Sequence, residues 1–346
     1  MTQHERLHKT GILRRGTPSK GFRYVNADGK KPSAIDLSRI EALTIPPAWT
    51  DVAINPAATG LVQVVGKDAA GRWQYLYHER HVKRQEQRKF ERLVKFAEAL
   101  PQMRKAVARH LKLPGLGREK VLAAILRILS TCYMRPGSQV YASENGSYGI
   151  STLRARHVRV KSDLIEFDFP GKSGVQQHRE LKDRKVAKVV RQLLKDRRSE
   201  VFQYLDDEGQ FVNITGRHIN EYIKEVMGAK FSAKDFRTWA GTLACACALA
   251  RAGASVDDTE PERKRKIMAA INEAAEILGN TPAVCRSSYI CPEIIESFEQ
   301  GIVIRRYFQT VAELVKHRTR GLHVAEKALL SFLKRGGKRI RKKSGT

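Results

Sequence analysis

The chain is predicted to be α+β, with a small β-rich N-terminal domain (residues 1–90) and a larger, mainly α-helical domain (91–346) carrying one β-hairpin. Three observations predict it. Short extended or alternating runs, punctuated by turn residues, fill the first ninety positions. Apolar residues at helical spacing fill most of the rest. Among those helices stand HVRVKSDLIEFDF and VQQHREL, an alternating set joined by the turn FPGKSG.

The elements follow in order. GFRYVNADGKKP places a turn at Asp28-Gly29, and TIPPAWTDVAINP is extended and proline-punctuated. LVQVVGKDAAGRWQYLYH reads as a hairpin turning at Ala69-Ala70-Gly71. In its second strand Trp73, Tyr75 and Tyr77 alternate and share one face. That face suits stacking on sugars or bases, and it suits a core equally well. HERHVKRQEQRKFERLVKFAEAL is a long basic helix leading from the first domain into the second. REKVLAAILRILSTCYMRPG is a helix that stops at Pro136-Gly137, which puts Arg135 at its end, and Lys172 rides on or near the hairpin tip. Three more helices follow, DRKVAKVVRQLLKD, ITGRHINEYIKEVMG and SAKDFRTWAGTLACACALARAG, the last opened by a Ser232/Asp235 capping box. ERKRKIMAAINEAAEILGN ends on Gly279, and the next helix takes Thr281 as N-cap and Pro282 as its first residue. The acidic DDTEPER (257–263) reads as a solvated loop. A single last helix, TVAELVKHRTRGLHVAEKALLSFL, leads to a mobile basic tail, KRGGKRIRKKSGT.

The charge balance narrows the function. Lys plus Arg number 64 against 36 Asp plus Glu, a formal net of +28 spread along the whole chain. Such an excess repels itself unless a polyanion is the partner, and nucleic acid fits it better than a membrane surface. The longest apolar stretch, Trp239 to Ala250, falls short of the ~20 residues of a crossing helix. MTQHERLHKTGILRRG holds no apolar secretory segment. Five cysteines without a C-x-x-C pair read as reduced thiols in or near the core of a cytoplasmic, nucleoid-associated protein. The sequence offers no metal-ligand pattern, P-loop or dinucleotide fingerprint, so neither a metal nor a nucleotide cofactor is expected.

LGNTPAVCRSSY leaves two readings for Tyr289: a packed aromatic, or a nucleophile. Attack on a phosphodiester builds about one extra negative charge on the non-bridging oxygens, which fixed cations and hydrogen-bond donors must meet. Arginine suits this, because its planar fork grips two oxygens and stays protonated. The departing sugar oxygen needs a proton, which a lysine on a hairpin tip can bring. Arg135, Lys172, Arg237, Asn280 and Tyr289 supply that chemistry.

Their setting is distinctive. IPPAWTDV (45–52), QYLYHERHVKR (74–84), RPGSQVYASENGSYGISTLRARHV (135–158), PGKSG (170–174), KDFRTWAGT (234–242) and LGNTPAVCRSSY (278–289) succeed one another. In these the chain resembles the type IB DNA topoisomerases, in the compact form of bacteria and large DNA viruses. The resemblance implies relaxation of supercoiled duplex DNA by transient nicking, without ATP or metal, in a monomer closing on DNA as a C-shaped clamp. Tyr289 would form a 3′-phosphotyrosyl bond and release a 5′-hydroxyl, Arg135 and Arg237 would hold the phosphate, and Lys172 would protonate the leaving oxygen. Lys161 and Lys182 lie near enough in sequence to compete with Lys172 for that role. Gln74, Tyr75, Tyr77 and Tyr141 match DNA-contacting positions, though each could be structural. Family members usually hold a histidine where Asn280 stands, so the amide is expected to donate a neutral hydrogen bond and carry no proton.

Two other classes remain. A tyrosine recombinase shares the covalent logic, but usually carries a histidine three residues before the second arginine, where Lys234 stands, and has a helical DNA-binding arm in front. A non-enzymatic architectural DNA-binding protein explains the charge but not the ordered Arg, Lys, Arg, Asn, Tyr set.

Overall fold

The computed structural model describes residues 1–195, 199–253, 258–317 and 319–343. The fold is α+β, and the chain divides into two compact units, Met1–Lys89 and Phe90–Thr346.

The first unit is an antiparallel five-stranded sheet with a short helix on each face. Its elements are α1 (Gln3–Thr10), β1 (Ile12–Thr17), β2 (Gly21–Val25), α2 (Ala34–Ala42), β3 (Thr50–Ile54), β4 (Val62–Lys67) and β5 (Trp73–Tyr77), in the order β2-β1-β3-β4-β5. Leu7 of α1 packs with Ala53, Val62 and Val65 on one face, and Ile40 of α2 packs with Ile12, Val52, Ile54 and Val64 on the other. Two covered faces explain why β4 reads VQVV rather than alternating. Neither helix is expected from the sequence, whereas the Asp28-Gly29 turn forms, with the Gly29 N–H donating to the Asn26 carbonyl at 2.9 Å. The first hairpin is β1–β2.

The second unit is built around helix α8 (Ala233–Ala252), most of whose residues are buried. Leading to it are α3 (Glu79–His110), which begins in the first unit and crosses the boundary at Phe90, α4 (Arg118–Cys132), α5 (Gln139–Asn145), the three-stranded sheet β6 (Val158–Lys161), β7 (Leu164–Pro170) and β8 (Gln176–Lys182), α6 (Arg184–Leu193), the small hairpin β9 (Gln203–Leu205) and β10 (Phe211–Asn213), and α7 (Gly216–Met227). After it come α9 (Glu260–Leu278), α10 (Pro282–Tyr289), α11 (Pro292–Glu299), α12 (Val311–Lys316) and α13 (Val324–Lys343). Among the described residues no helix is long and apolar enough to cross a membrane.

Three expectations are corrected here. Helix α4 ends at Cys132, because Tyr133 turns left-handed (φ 53°), so Arg135 stands in the extended segment beyond it. In DDTEPER, Asp257 lies outside the described residues, but Asp258 is half-buried against Lys266 at 2.7 Å and Thr259 caps α9, whose first turn holds the remaining acids. The last long helix is two helices, and the basic tail continues α13 as far as Lys343, residues 344–346 lying outside the described residues.

Candidate active site

Helix α8 fixes the first guanidinium. Its start is tied down by Asp235, which accepts from the Ser232 N–H and hydroxyl at 2.8 and 2.9 Å and takes the Arg92 fork of α3 at 2.6 Å on each oxygen. Two residues on, Arg237 is only 3% exposed. Among the described residues it has no carboxylate partner. Its Nη1 donates to the Tyr133 carbonyl and its Nη2 to the Leu278 carbonyl at 2.9 Å, while Nε is buried without a partner. Both carbonyls sit at helix C-termini, those of α4 and α9, so the negative ends of two helix dipoles hold this cation. Burial, and then the charge of Arg135, push its pKa down to about 10, which leaves it a cation at neutral pH.

The stretch from α9 to α10 brings the amide and the phenol. Gly279 ends α9 with φ 61° and ψ 52°, and the Asn280 N–H turns back to the Ala275 carbonyl at 2.9 Å. Thr281 and Pro282 then start α10 as expected, with the Thr281 hydroxyl accepting from the Val284 N–H. The Asn280 carbonyl accepts from Arg135 Nη2, which turns the amide nitrogen away, buried and unpartnered. Arg135 itself is fixed by its backbone, whose carbonyl accepts from the Ile150 N–H at 2.9 Å.

Tyr289 ends α10 half-buried, with the Arg237 guanidinium carbon 5.0 Å from its ring centre. Cys285, one turn earlier, shares the face turned to α8. The approach is close: a Cβ on Gly241 would come within 2.9 Å of the Tyr289 carbonyl oxygen. The next residue, Thr242, donates its hydroxyl to that same carbonyl at 3.1 Å and accepts from the Cys291 N–H at 3.1 Å. Burial raises the phenol, but Arg237, by its charge and its N–H groups, then Arg135 and Lys234 outweigh it, and the net shift is downward from the ordinary tyrosine value. A phenol beside two guanidinia and an unengaged amide donor is equipped to form phenolate and to surround an anion.

The structure therefore gathers Arg135, Arg237, Asn280 and Tyr289. Lys172 is exposed in the single 3-10 turn between β7 and β8, with no hydrogen bond or ion pair among the described residues. Tyr141 is 54% exposed on α5. In the first unit, Tyr75 packs on the α1-side cluster and Gln74 donates to Asp68 at 2.9 Å, whereas Tyr77 is 44% exposed. On that aromatic face Trp73 and Tyr75 are half-buried and Tyr77 is exposed. Sequence reasoning missed Gly241 and Thr242 as the seat of Tyr289, and it missed Arg179 of β8, whose charge acts on Arg237 and which feels the charge of Arg135.

Residues 79–316 match the family described as the eukaryotic DNA topoisomerase I catalytic core, and residues 21–68 match the bacterial DNA topoisomerase IB N-terminal domain. The chain belongs to the type IB DNA topoisomerases. It is 32% identical to DNA topoisomerase 1B of Acanthamoeba polyphaga mimivirus over 87% of its own length and 91% of the relative's. It is 25% identical to DNA topoisomerase 1B of vaccinia virus (strain Copenhagen), over 74% and 80% respectively. Identity to DNA topoisomerase 1 of Drosophila melanogaster is 28% over 35% of the chain and 12% of that protein. Arg135, Lys172, Arg237, Asn280 and Tyr289 all fall inside the matched catalytic core, whereas Gln74, Tyr75 and Tyr77 lie between the two matched ranges. The enzyme is thus an isomerase of the type IB class.

Proposed function

We propose that the enzyme relaxes supercoiled duplex DNA through a covalent 3′-phosphotyrosyl intermediate, without ATP or metal. The observation that carries this reading is the Tyr289 phenol, shifted down and set beside Arg237 and Arg135, neither of which has a carboxylate partner among the described residues. The phenol oxygen, its proton released to solvent, attacks the scissile phosphorus, and the bond from phosphorus to the 5′ oxygen breaks. The leaving oxygen takes a proton from Lys172, whose exposed place at a hairpin tip leaves it free to reach a bound strand. Arg135 and Arg237 hold the non-bridging oxygens, and Asn280 donates its free N–H to one of them. One ester is exchanged for another, so little free energy is lost. The freed 5′ end swivels about the intact strand under the torsion of the supercoil, then attacks in reverse.

On the same reading the enzyme is a cytoplasmic, nucleoid-associated monomer acting on duplex DNA. Gln74, Tyr75, Tyr77 and Tyr141 contact DNA. Contacts go mostly to phosphates, so binding weakens steeply with salt. The test is supercoiled plasmid with EDTA and no ATP. Stepwise relaxed topoisomers are expected, and none with Tyr289→Phe, which still binds DNA. Relaxation by Tyr289→Phe would show that the covalent proposal is wrong.

A further inference from the structure

Strand β8 carries a charge where its pattern asks for an apolar residue. Its inward positions are Gln177, Arg179 and Leu181, which pair across the sheet with Phe169, Phe167 and Ile165, all three buried. Arg179 is thus a half-buried guanidinium facing the core, and no carboxylate partners it among the described residues. Among the described residues its one hydrogen bond runs from Nη2 to the Gln177 side-chain oxygen at 3.1 Å. Burying an uncompensated charge is costly unless an anion arrives to meet it.

The place of Arg179 indicates which anion. Its side chain and that of Gln177 lie directly on Gly279, where a Cβ would overlap the Gln177 oxygen and come within 2.7 Å of Arg179 Nη2. Gly279 is the residue before Asn280, whose carbonyl is engaged by Arg135. Burial pushes the Arg179 guanidinium down, and the charge of Arg135 pushes the same way. Three guanidinia, Arg135, Arg179 and Arg237, are therefore collected around a neutral amide. Arg135 and Arg237 have protein oxygens to hold them, and Arg179 has a single amide oxygen. An electron-rich phosphate is the ligand that relieves all three.

We propose that Arg179 is a third fixed cation of the phosphate site, supplying across Gly279 the positive charge that the neutral Asn280 amide lacks. This rests on the covalent reading above, and it adds a residue from the strand that follows the Lys172 turn. Arg179 acts through its field on the pentacoordinate phosphorus, whose extra negative charge is present only in the transition state.

A group kept for function at an energetic cost behaves differently from one kept for packing. Arg179→Met retains length and fits the apolar position, so it should melt at or above the parental temperature. It should also form the covalent adduct on a nicking substrate roughly 10- to 100-fold more slowly in single turnover. Arg179→Lys keeps the charge and should cleave within about threefold of the parent, less than the loss of one charge-stabilising donor. Parental cleavage by Arg179→Met overturns the proposal. If Arg179→Met melts lower or does not fold, Arg179→Lys decides: cleavage near the parental rate supports the third cation, and a folded lysine variant as slow as ~30-fold down refutes it. Tyr289→Phe is run alongside. An adduct formed without the phenol would overturn the covalent reading itself, whereas a dead Tyr289→Phe beside a fast Arg179→Met removes only Arg179.

Discussion

Thr242 offers the sharpest test of how the nucleophile is held. It is wholly buried, and its one hydroxyl serves two backbone groups where α10 gives way to α11, donating to the Tyr289 carbonyl and accepting from the Cys291 N–H. Thr242→Val keeps the shape and removes the oxygen. Each buried backbone group left open costs about 1–3 kcal/mol, so the pair costs roughly 2–6 kcal/mol if α10 stays in place. In a unit of this size 1 kcal/mol moves Tm by about 2–4 °C, which makes the expected fall roughly 4–24 °C by circular dichroism. If α10 shifts to find other partners, the phenol moves with it, and a misplacement on the order of 1 Å slows the covalent step by ~10²-fold. Melting temperature or single-turnover adduct formation must therefore change. Thr242→Ser restores the oxygen and should recover both. A Thr242→Val enzyme with the parental Tm and the parental adduct rate would refute the tether.

Two further predictions concern charge. Adduct formation should rise with pH to a midpoint below the ordinary tyrosine value, because the deprotonated phenol is the attacking form and its pKa is depressed. It should fall again as Arg237 loses its proton at about pH 10, and quench-flow rates from pH 6 upward check both limbs. A midpoint at or above that of free tyrosine would contradict the electrostatics of the site. Glu326, 1% exposed, is expected to anchor the C-terminal helix, since it accepts from Arg104 at 2.9 and 2.7 Å, from the His323 N–H at 2.8 Å and from Trp239 of α8 at 3.4 Å. Glu326→Ala strands the Arg104 charge and should lose about 3–5 kcal/mol in urea unfolding. Although burial raises this carboxyl, its hydrogen bonds to His317 and Arg104 bring it far below the usual range. Its contribution is accordingly complete above the ordinary glutamate value and disappears as acid approaches the folded-state pKa. A parent–variant difference already absent at pH 7 would overturn that role.

What the sequence revealed depended on how local the determinant was. Thr281, Pro282 and Gly279 announce their helix ends because capping is settled within four residues, and the β7–β8 hairpin follows from alternation around PGKSG. The fold class was legible for the same reason. Helices α1 and α2 were not, because they are short and present few buried residues, Leu7 in one and Ile40 in the other. The end of α4 was missed because Tyr133 takes a left-handed conformation usually left to glycine. Strands β9 and β10 have three residues each, too few for a period. In the site, Arg135, Arg237, Asn280 and Tyr289 were legible by residue type and by the motifs around them that resemble the type IB family. Arg179 did not, because QQHREL looks uniformly polar until its register against Phe167 shows which side is inward. Thr242 and Gly241 were hidden differently: their partners are backbone atoms some fifty positions away.

The hinge between α9 and α10 has a genetic consequence. Gly279 combines a left-handed backbone, which disfavours side chains by about 1–2 kcal/mol, with the Gln177 and Arg179 side chains occupying the volume a first carbon would need. Every sense codon one base away from glycine, other than its synonyms, encodes that carbon. Position 279 should accordingly tolerate fewer missense alleles than Ala283, which is exposed on the next helix. A saturation library selected for plasmid unwinding would read this directly as a column weighted toward glycine.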